Sequence, residues 1–134
     1  MKGIADTGFL VAFISQRDHH HDWALNLARQ WDEPFLTCES ILSETAFHLG
    51  NCSSIFEMLN KHFVRLAFDC NDHLRQLESL AEDYADRKPD FADLCLIRMS
   101  ELFPKHAVIT IDREDFRVYR RNKRETIPLI CPPE

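Results

Sequence analysis

Glycine is scarce in this sequence, and internal repeats, linkers and low-complexity tracts are absent. The chain has only 3 Gly among 134 residues, of which 45% are hydrophobic and 28% charged. This composition excludes collagen-like and disordered chains and is typical of a compact protein rich in helix. No stretch approaches the roughly 18 uncharged residues of a membrane span, so we expect no membrane segment. The length predicts a single domain over residues 1–134.

The cysteines also lack any recognisable arrangement. They form no CxxC pair and no Cys/His spacing of a zinc site, and their number is odd. We therefore expect small buried hydrophobes in a reducing cytoplasm, rather than the disulfides of a secreted domain. The residues concerned are Cys38, Cys52, Cys70, Cys95 and Cys131. The apolar run 9–14 could mimic a signal peptide, but Asp6 precedes it and no small-residue cleavage site follows, so we expect it to be part of the fold.

Positive charge is in deficit, because the formal net charge is -6. This balance argues against a protein that binds nucleic acid through overall charge, although net charge says little about a local basic patch. Basic residues do cluster near the end of the chain, with Phe116 and Tyr119 between them. They could form a solvated face or contact a phosphate backbone, and the sequence leaves both open. They are Arg113, Arg117, Arg120, Arg121, Lys123 and Arg124.

Short apolar runs alternate with segments of helical periodicity. The runs predict strands at residues 3–6, 34–37, 64–68, 107–112 and 127–130, and the intervening segments predict helices, including an almost wholly apolar one over residues 91–102. Strands separated by helices imply parallel crossover connections. We therefore expect an α/β fold, a three-layer α/β/α sandwich around a mainly parallel sheet of four to five strands.

Two acidic residues stand where two of these predicted strands end. Asp6 closes the first apolar run, and Asp112 closes the run 107–111. Because ligands of open parallel sheets lie beyond the carboxyl ends of the strands, both side chains should face one crevice. Two close carboxylates repel each other unless protons or a hard cation such as Mg²⁺ or Mn²⁺ lies between them.

A third acid lies in the apolar helix 91–102. Asp93 would be costly to bury there unless a positive group met it, which a metal ion could do. Alternatively, Asp90 caps the helix and Asp93 interacts favourably with the positive N-terminal dipole. The two acids at strand ends favour a ligand role for Asp93, while capping remains the simpler explanation for Asp90.

In order along the chain, these acidic segments resemble those of PIN-domain ribonucleases, which include the VapC toxins. Residues 4–10 are similar to the family's first strand and its metal-binding Asp, and residues 22–24 to its second helix. Residues 40–44 resemble the helix with the family's Glu, and residues 90–94 and 109–116 resemble the remaining acidic motifs. Each motif alone is short, but their order and spacing are specific.

The resemblance implies a role for each matching position. Asp6, Glu44, Asp93 and Asp112 would bind one or two Mg²⁺ or Mn²⁺ ions, Asp90 and Asp115 would be auxiliary acids, and Thr7 and Thr110 would orient the carboxylates or a water. Arg113, Arg117, Arg120 and Arg121 are candidates for RNA contact. Helical periodicity directs Glu44 away from the apolar stripe of its helix, which leaves Glu39 as a rival in the same segment.

The implied activity is endonucleolytic hydrolysis of RNA by a metal-activated water. The protein would be the toxin of a toxin-antitoxin pair, with an antitoxin from a neighbouring gene as partner, and would be a homodimer. The alternative is a PIN-fold protein that binds RNA or a partner without cutting.

Two other motifs are weaker. Consecutive histidines at 19–21 would not converge on one ion, so we expect them at a cleft edge or in solvent. Asp6, Thr7 and Gly8 spell the aspartic-protease triplet, but the helical segments around them do not suit that all-β fold.

Overall fold

The computed structural model of the protein describes residues 2–134. Its strands are β1 (Gly3–Ala5), β2 (Phe35–Thr37), β3 (Val64–Leu66), β4 (Ala107–Ile109), β5 (Arg120–Arg121), β6 (Glu125–Thr126) and β7 (Leu129–Ile130). Its helices are α1 (Thr7–Ile14), α2 (His21–Arg29), α3 (Glu39–Leu49), α4 (Ser53–Asn60), α5 (Leu74–Asp83), α6 (Phe91–Leu102) and α7 (Arg113–Val118), with a 3₁₀ turn at Cys70–His73.

Five strands form one parallel sheet in the order β3-β2-β1-β4-β7. The central strand β1 pairs with β4 so that Ala5 lies opposite Ile109. The residues that follow these two strands therefore leave the sheet side by side. This arrangement confirms the predicted α/β fold with its mainly parallel sheet.

The central strands are buried on both faces. Ile4, Ala5, Val108 and Ile109 are fully buried, as expected for parallel strands covered by helices, and this explains their continuous apolar sequence. Helix α6 also belongs to the core, because most of its side chains are buried, including those of Leu96 and Ile97. A helix that is apolar almost all round is stable only in such an interior position.

The structure differs from the prediction near Asp112. The predicted strand 107–112 ends at Ile109, and Asp112 instead caps α7 by accepting a hydrogen bond from the backbone N–H of Asp115. The predicted strand at 64–68 likewise ends at Leu66. The hairpin of β5 and β6 was not predicted, because its turn uses Asn122 and Lys123 at φ 49° and 67°, without the glycine that usually marks such a turn.

Along residues 2–134 no helix is both long and apolar enough to cross a membrane. All five cysteines are free thiols. Cys38 and Cys95 are buried as predicted, Cys70 and Cys131 are partly buried, and Cys52 is exposed. The prediction of buried cysteines is therefore wrong at Cys52. Cys52 precedes α4 on the surface, where the apolar face of the helix does not reach it.

Candidate functional site

Asp6 lies at the centre of the candidate site, directly after β1. It caps α1 by accepting a hydrogen bond of 2.7 Å from the backbone N–H of Thr7, which is why an acid is favourable at this strand-to-helix junction. The residue is only 9% exposed. Its second oxygen accepts a 2.6 Å hydrogen bond from the hydroxyl of Thr110. Both carboxylate oxygens are therefore held in fixed directions.

Thr110 connects Asp6 to Asp112. While its hydroxyl donates to Asp6, the same oxygen accepts a 2.9 Å hydrogen bond from the backbone N–H of Asp112. The parallel pairing of β1 with β4 brings these residues together, although Asp6 and Thr110 are 104 residues apart in the sequence. Thr110 thus contacts the carboxylate of Asp6 directly, and its role towards a bound water or metal stays a prediction.

Thr7 makes the equivalent connection to α3. Its hydroxyl donates a 3.0 Å hydrogen bond to Glu44, and Glu44 is partly buried whereas Glu39 is exposed. Helical periodicity alone directed Glu44 away from the core, but it could not show that α1 packs against this face of α3. Of these two glutamates, Glu44 is therefore the one that contacts a residue next to Asp6.

Asp93 approaches the site from the first turn of α6. Asp90 caps that helix by accepting a 2.9 Å hydrogen bond from the backbone N–H of Asp93, so the capping explanation describes Asp90. Asp93 itself accepts a 3.1 Å hydrogen bond from the phenolic hydroxyl of Tyr119. Tyr119 is buried at 1% exposure, and burial raises the pKa of its hydroxyl above the ordinary value, which keeps it a donor.

The carboxylates influence one another through burial and charge. Burial raises the pKa of Asp6 to about 6, and the negative charges of Asp112 and Glu44 add to this effect. Burial also raises the pKa of Asp93 to about 7, with contributions from Asp90, Asp6 and Asp112. Burial likewise raises the pKa of Asp112. Each of these three acids thus lies where its negative charge is unfavourable, and Asp93 lies within electrostatic range of Asp6, Asp90 and Asp112.

The donor chemistry of this region fits a hard cation. Carboxylate and hydroxyl oxygens suit Mg²⁺ and Mn²⁺, whereas no cysteine or histidine is among the converging groups. Across residues 2–134, however, no three His, Cys, Asp or Glu side chains are close enough, as oriented, to hold a common metal ion. Mg²⁺ usually retains several waters and takes only one or two carboxylates directly, so the fit does not require three acids in contact with the ion.

Asp115, the other auxiliary candidate, has a cationic partner. Its carboxylate forms a 3.2 Å salt bridge with Arg87 in the loop before α6, and its backbone N–H donates to Asp112. Arg87 could not be identified from sequence patterns, because its position beside Asp115 depends on the packing of two segments 28 residues apart. Tyr119 was missed as a partner of Asp93 for the same reason.

The basic segment after Asp112 is largely engaged with the protein itself. Arg113 donates to the carbonyl of Pro132, Arg117 pairs with Glu134, and Arg120 donates to carbonyls at the end of α7. Arg121 is buried and bridges α6 to the hairpin, which is a structural role that its charge did not indicate.

Neither aromatic residue of this segment is available for base stacking. Phe116 and Tyr119 are both 1% exposed and pack edge to face against each other. In the histidine run, His21 forms a 2.7 Å hydrogen bond with the carbonyl of Ala12, and His19 is exposed.

The structure is similar to a solved structure of VapC20 from Mycobacterium tuberculosis, a sarcin-ricin loop cleaving toxin. The superposition has a TM-score of 0.64 with 18% sequence identity, and it covers 75% of this chain and 82% of VapC20. No protein-family model and no curated protein sequence matches this chain. At this level of identity the similarity bears on the fold, and the chain has the VapC-like PIN fold that its acidic motifs predicted.

Proposed function

We propose that this protein is a Mg²⁺- or Mn²⁺-dependent endoribonuclease that hydrolyses phosphodiester bonds with water. The observation that supports the proposal is the hydrogen-bonded link from Asp6 through Thr110 to Asp112 at the carboxyl end of the parallel sheet. Burial raises the pKa values of Asp6, Asp112 and the neighbouring Asp93. Among residues 2–134, no salt bridge to these three acids offsets that charge. A divalent cation would supply the missing positive charge.

We assign the cation to the region bordered by Asp6, Asp93, Asp112 and Glu44, where one or two of these carboxylates would bind it directly and the others through its water molecules. When bound, it would lower the pKa of a water molecule and neutralise the leaving oxygen. The residues around the acids hold them in place for this purpose: Thr110 orients Asp6, Thr7 orients Glu44, and Tyr119 orients Asp93. Such hydrogen bonds to ligands typically affect metal affinity and activity strongly.

The biological role we propose is that of a toxin in a toxin-antitoxin pair, acting as a homodimer in the cytoplasm. The support is the similarity to VapC20, which is a toxin. Co-expression with the product of the adjacent upstream open reading frame should then suppress the RNA cleavage. Light scattering should give the mass of a dimer of this 15.7 kDa chain.

Incubation of the purified protein with single-stranded RNA tests the nuclease activity. We expect cleavage with Mn²⁺ and none with EDTA, because the acids need the cation. Asp6→Asn and Asp93→Asn should abolish the cleavage, while Asp72→Asn, an exposed acid on the 3₁₀ turn, should leave it unchanged. Cleavage that persists in both site variants would refute the assignment.

A second candidate function is RNA or partner binding without cleavage. The orientation of the acids favours it, because no three potential ligands within residues 2–134 lie close enough to hold one ion. The same experiment separates the two functions. RNA that is bound but remains intact with Mn²⁺ would indicate the binding function.

A further inference from the structure

Arg87 occupies a defined position at the edge of the acidic site. Its Nη2 lies 3.2 Å from Oδ1 of Asp115, and the backbone N–H of Asp115 lies 3.2 Å from Oδ1 of Asp112. A single residue of α7 therefore contacts both Arg87 and a proposed metal ligand.

Both ends of the loop that carries Arg87 are fixed to the same part of the molecule. On one side, the hydroxyl of Tyr84 accepts a 2.7 Å hydrogen bond from the backbone N–H of Arg120. On the other, Asp90 caps α6. Between them, Lys88 adopts a left-handed conformation with φ 50°. The loop thus presents the guanidinium group of Arg87 to Asp115, whose backbone N–H contacts Asp112.

A further cation at this site would favour the approach of RNA. An RNA strand is a polyanion, and the converging acids repel it. One divalent ion would offset only part of their charge. Six acids were predicted for the site: Asp6, Glu44, Asp90, Asp93, Asp112 and Asp115. In the part of the chain that the structure describes, one salt bridge involves any of them, and it joins Arg87 to Asp115.

Stability alone does not account for this pair. The side chains of Arg87 and Asp115 are 35% and 43% exposed, and ion pairs so exposed to water add little to the free energy of unfolding. The contact occupies Nη2 of Arg87, while a guanidinium group carries five N–H donors in a planar fork that matches phosphate oxygens. The remaining donors can bind an anion while Asp115 keeps the group in place.

We propose that Arg87, oriented by Asp115, binds a backbone phosphate of the RNA beside the acidic site. This inference rests on the proposed function and specifies how the site overcomes the repulsion of its substrate. It also assigns Asp115 to the positioning of Arg87, rather than to the metal.

Fluorescence anisotropy with a short fluorescein-labelled single-stranded RNA tests the proposal. Binding is measured with Ca²⁺, and a denaturing gel checks that the RNA stays intact. Arg87→Gln should weaken binding by about tenfold, as expected for loss of a charge-assisted contact. It should also reduce the slope of log K against log salt by about 0.7, the contribution of one phosphate of a single strand. Arg87→Lys should retain the slope but recover only part of the affinity, because a lysine lacks the planar fork.

Arg29→Gln is the matched control. Arg29 is exposed and ends α2, shortly before the amino end of β2, whereas Asp6 and Asp112 follow the carboxyl ends of strands. The Arg29→Gln variant removes the same positive charge as Arg87→Gln. It should leave both the RNA affinity and the salt dependence of binding close to those of the wild type. If Arg29→Gln weakened binding as much as Arg87→Gln, the effect would be one of net charge and the proposal would be overturned.

A double-mutant cycle tests the role of Asp115. Removing an acid should strengthen RNA binding if only net charge matters. If Asp115 orients Arg87, then Arg87→Gln should cost less affinity in the Asp115→Ala background than in the wild type. Additive effects would overturn the assigned orientation.

Cleavage of the same RNA with Mn²⁺, measured in parallel, separates this inference from the proposed function. If the wild type cleaves the RNA and Arg87→Gln binds it as tightly as the wild type, the Arg87 proposal alone would be overturned. Binding that depends on Arg87 without any cleavage by the wild type would overturn the nuclease assignment alone.

Discussion

Tyr119 donates a hydrogen bond to Asp93 across 3.1 Å, from a ring that is almost completely buried. The contact joins the residue that ends α7 to the first turn of α6, 26 residues away. It lowers the pKa of Asp93, against the larger effect of burial, which raises it. Tyr119 therefore favours the ionised form of an acid that we assign to the metal.

Tyr119→Phe should shift the pH dependence of RNA cleavage. Without the hydroxyl, the pKa of Asp93 should rise further, so cleavage with Mn²⁺ should require a higher pH. The loss of one hydrogen bond should lower the free energy of unfolding by only about 1 kcal/mol. The measurement is the midpoint of a pH-rate profile at fixed Mn²⁺. Tyr84→Phe is the control, since that hydroxyl accepts a hydrogen bond from a backbone N–H and does not contact an acid; equal midpoints in both variants would contradict the prediction.

The stability of the metal-free protein should fall as the pH rises towards neutrality. The folded state raises the pKa of Asp6 from 3.8 to about 6 and that of Asp93 from 3.8 to about 7. At pH values between 3.8 and these raised pKa values, the folded protein binds more protons than the unfolded chain. The free energy of unfolding therefore decreases as the pH rises. The decrease should extend from about pH 4 to about pH 7, the window that the two pKa values define.

Urea denaturation in EDTA at several pH values measures this dependence. Asp6→Asn and Asp93→Asn should each flatten it, because an amide does not titrate. Other groups that titrate in the same range remain in both variants, so the difference from wild type isolates the two acids. If the free energy of unfolding depended on pH with the same slope in both variants as in the wild type, neither acid would be the cause of that dependence.

The fold could be predicted because its signals are local. The runs around Ile4 and Val108 are apolar throughout, as required of strands covered on both faces, and the helices between them impose parallel pairing. In the parallel sheet, the pairing of β1 with β4 then places Asp6 beside Thr110. The hairpin of β5 and β6 was not predicted because it is short and its turn, at Asn122 and Lys123, lacks the glycine that usually marks such a turn.

The partners of the acids could be predicted only in part. The positions of Asp6 and Asp112 followed from strand ends and Asp93 from an apolar helix. In contrast, the hydrogen bond from Thr7 to Glu44 and the salt bridge from Arg87 to Asp115 join distant segments. Such contacts depend on the packing of side chains, which periodicity does not specify.

Divalent cations should stabilise the folded protein, and Glu44 should contribute more than Glu39. A cation at 100 times its dissociation constant should add about 2.7 kcal/mol to the free energy of unfolding, because it binds only the folded site. Thermal melting with increasing Mn²⁺ measures the effect. Glu44→Gln should reduce the shift in melting temperature, whereas Glu39→Gln, an exposed position of the same helix, should not.

The two glutamates form a matched pair, since both variants remove one negative charge from α3. If both reduced the Mn²⁺-induced shift equally, the cation would respond to general charge, and the assignment of Glu44 would be wrong. No shift in the wild type with either Mg²⁺ or Mn²⁺ would contradict a cation site at these acids altogether.

Arg121 and Arg117 should differ sharply in their contributions to stability, although they lie in the same basic segment. Arg121 is buried and donates hydrogen bonds of 3.1 Å to the carbonyls of Ser100 and Pro104. Arg121→Ala would leave these carbonyls without a donor and remove the packing of the side-chain stem, which should cost about 2 to 3 kcal/mol. Arg117 is 61% exposed, so Arg117→Ala should change stability by no more than about 0.5 kcal/mol. Urea denaturation at neutral pH compares them, and an equally small effect of both would show that Arg121 does not hold the hairpin against α6.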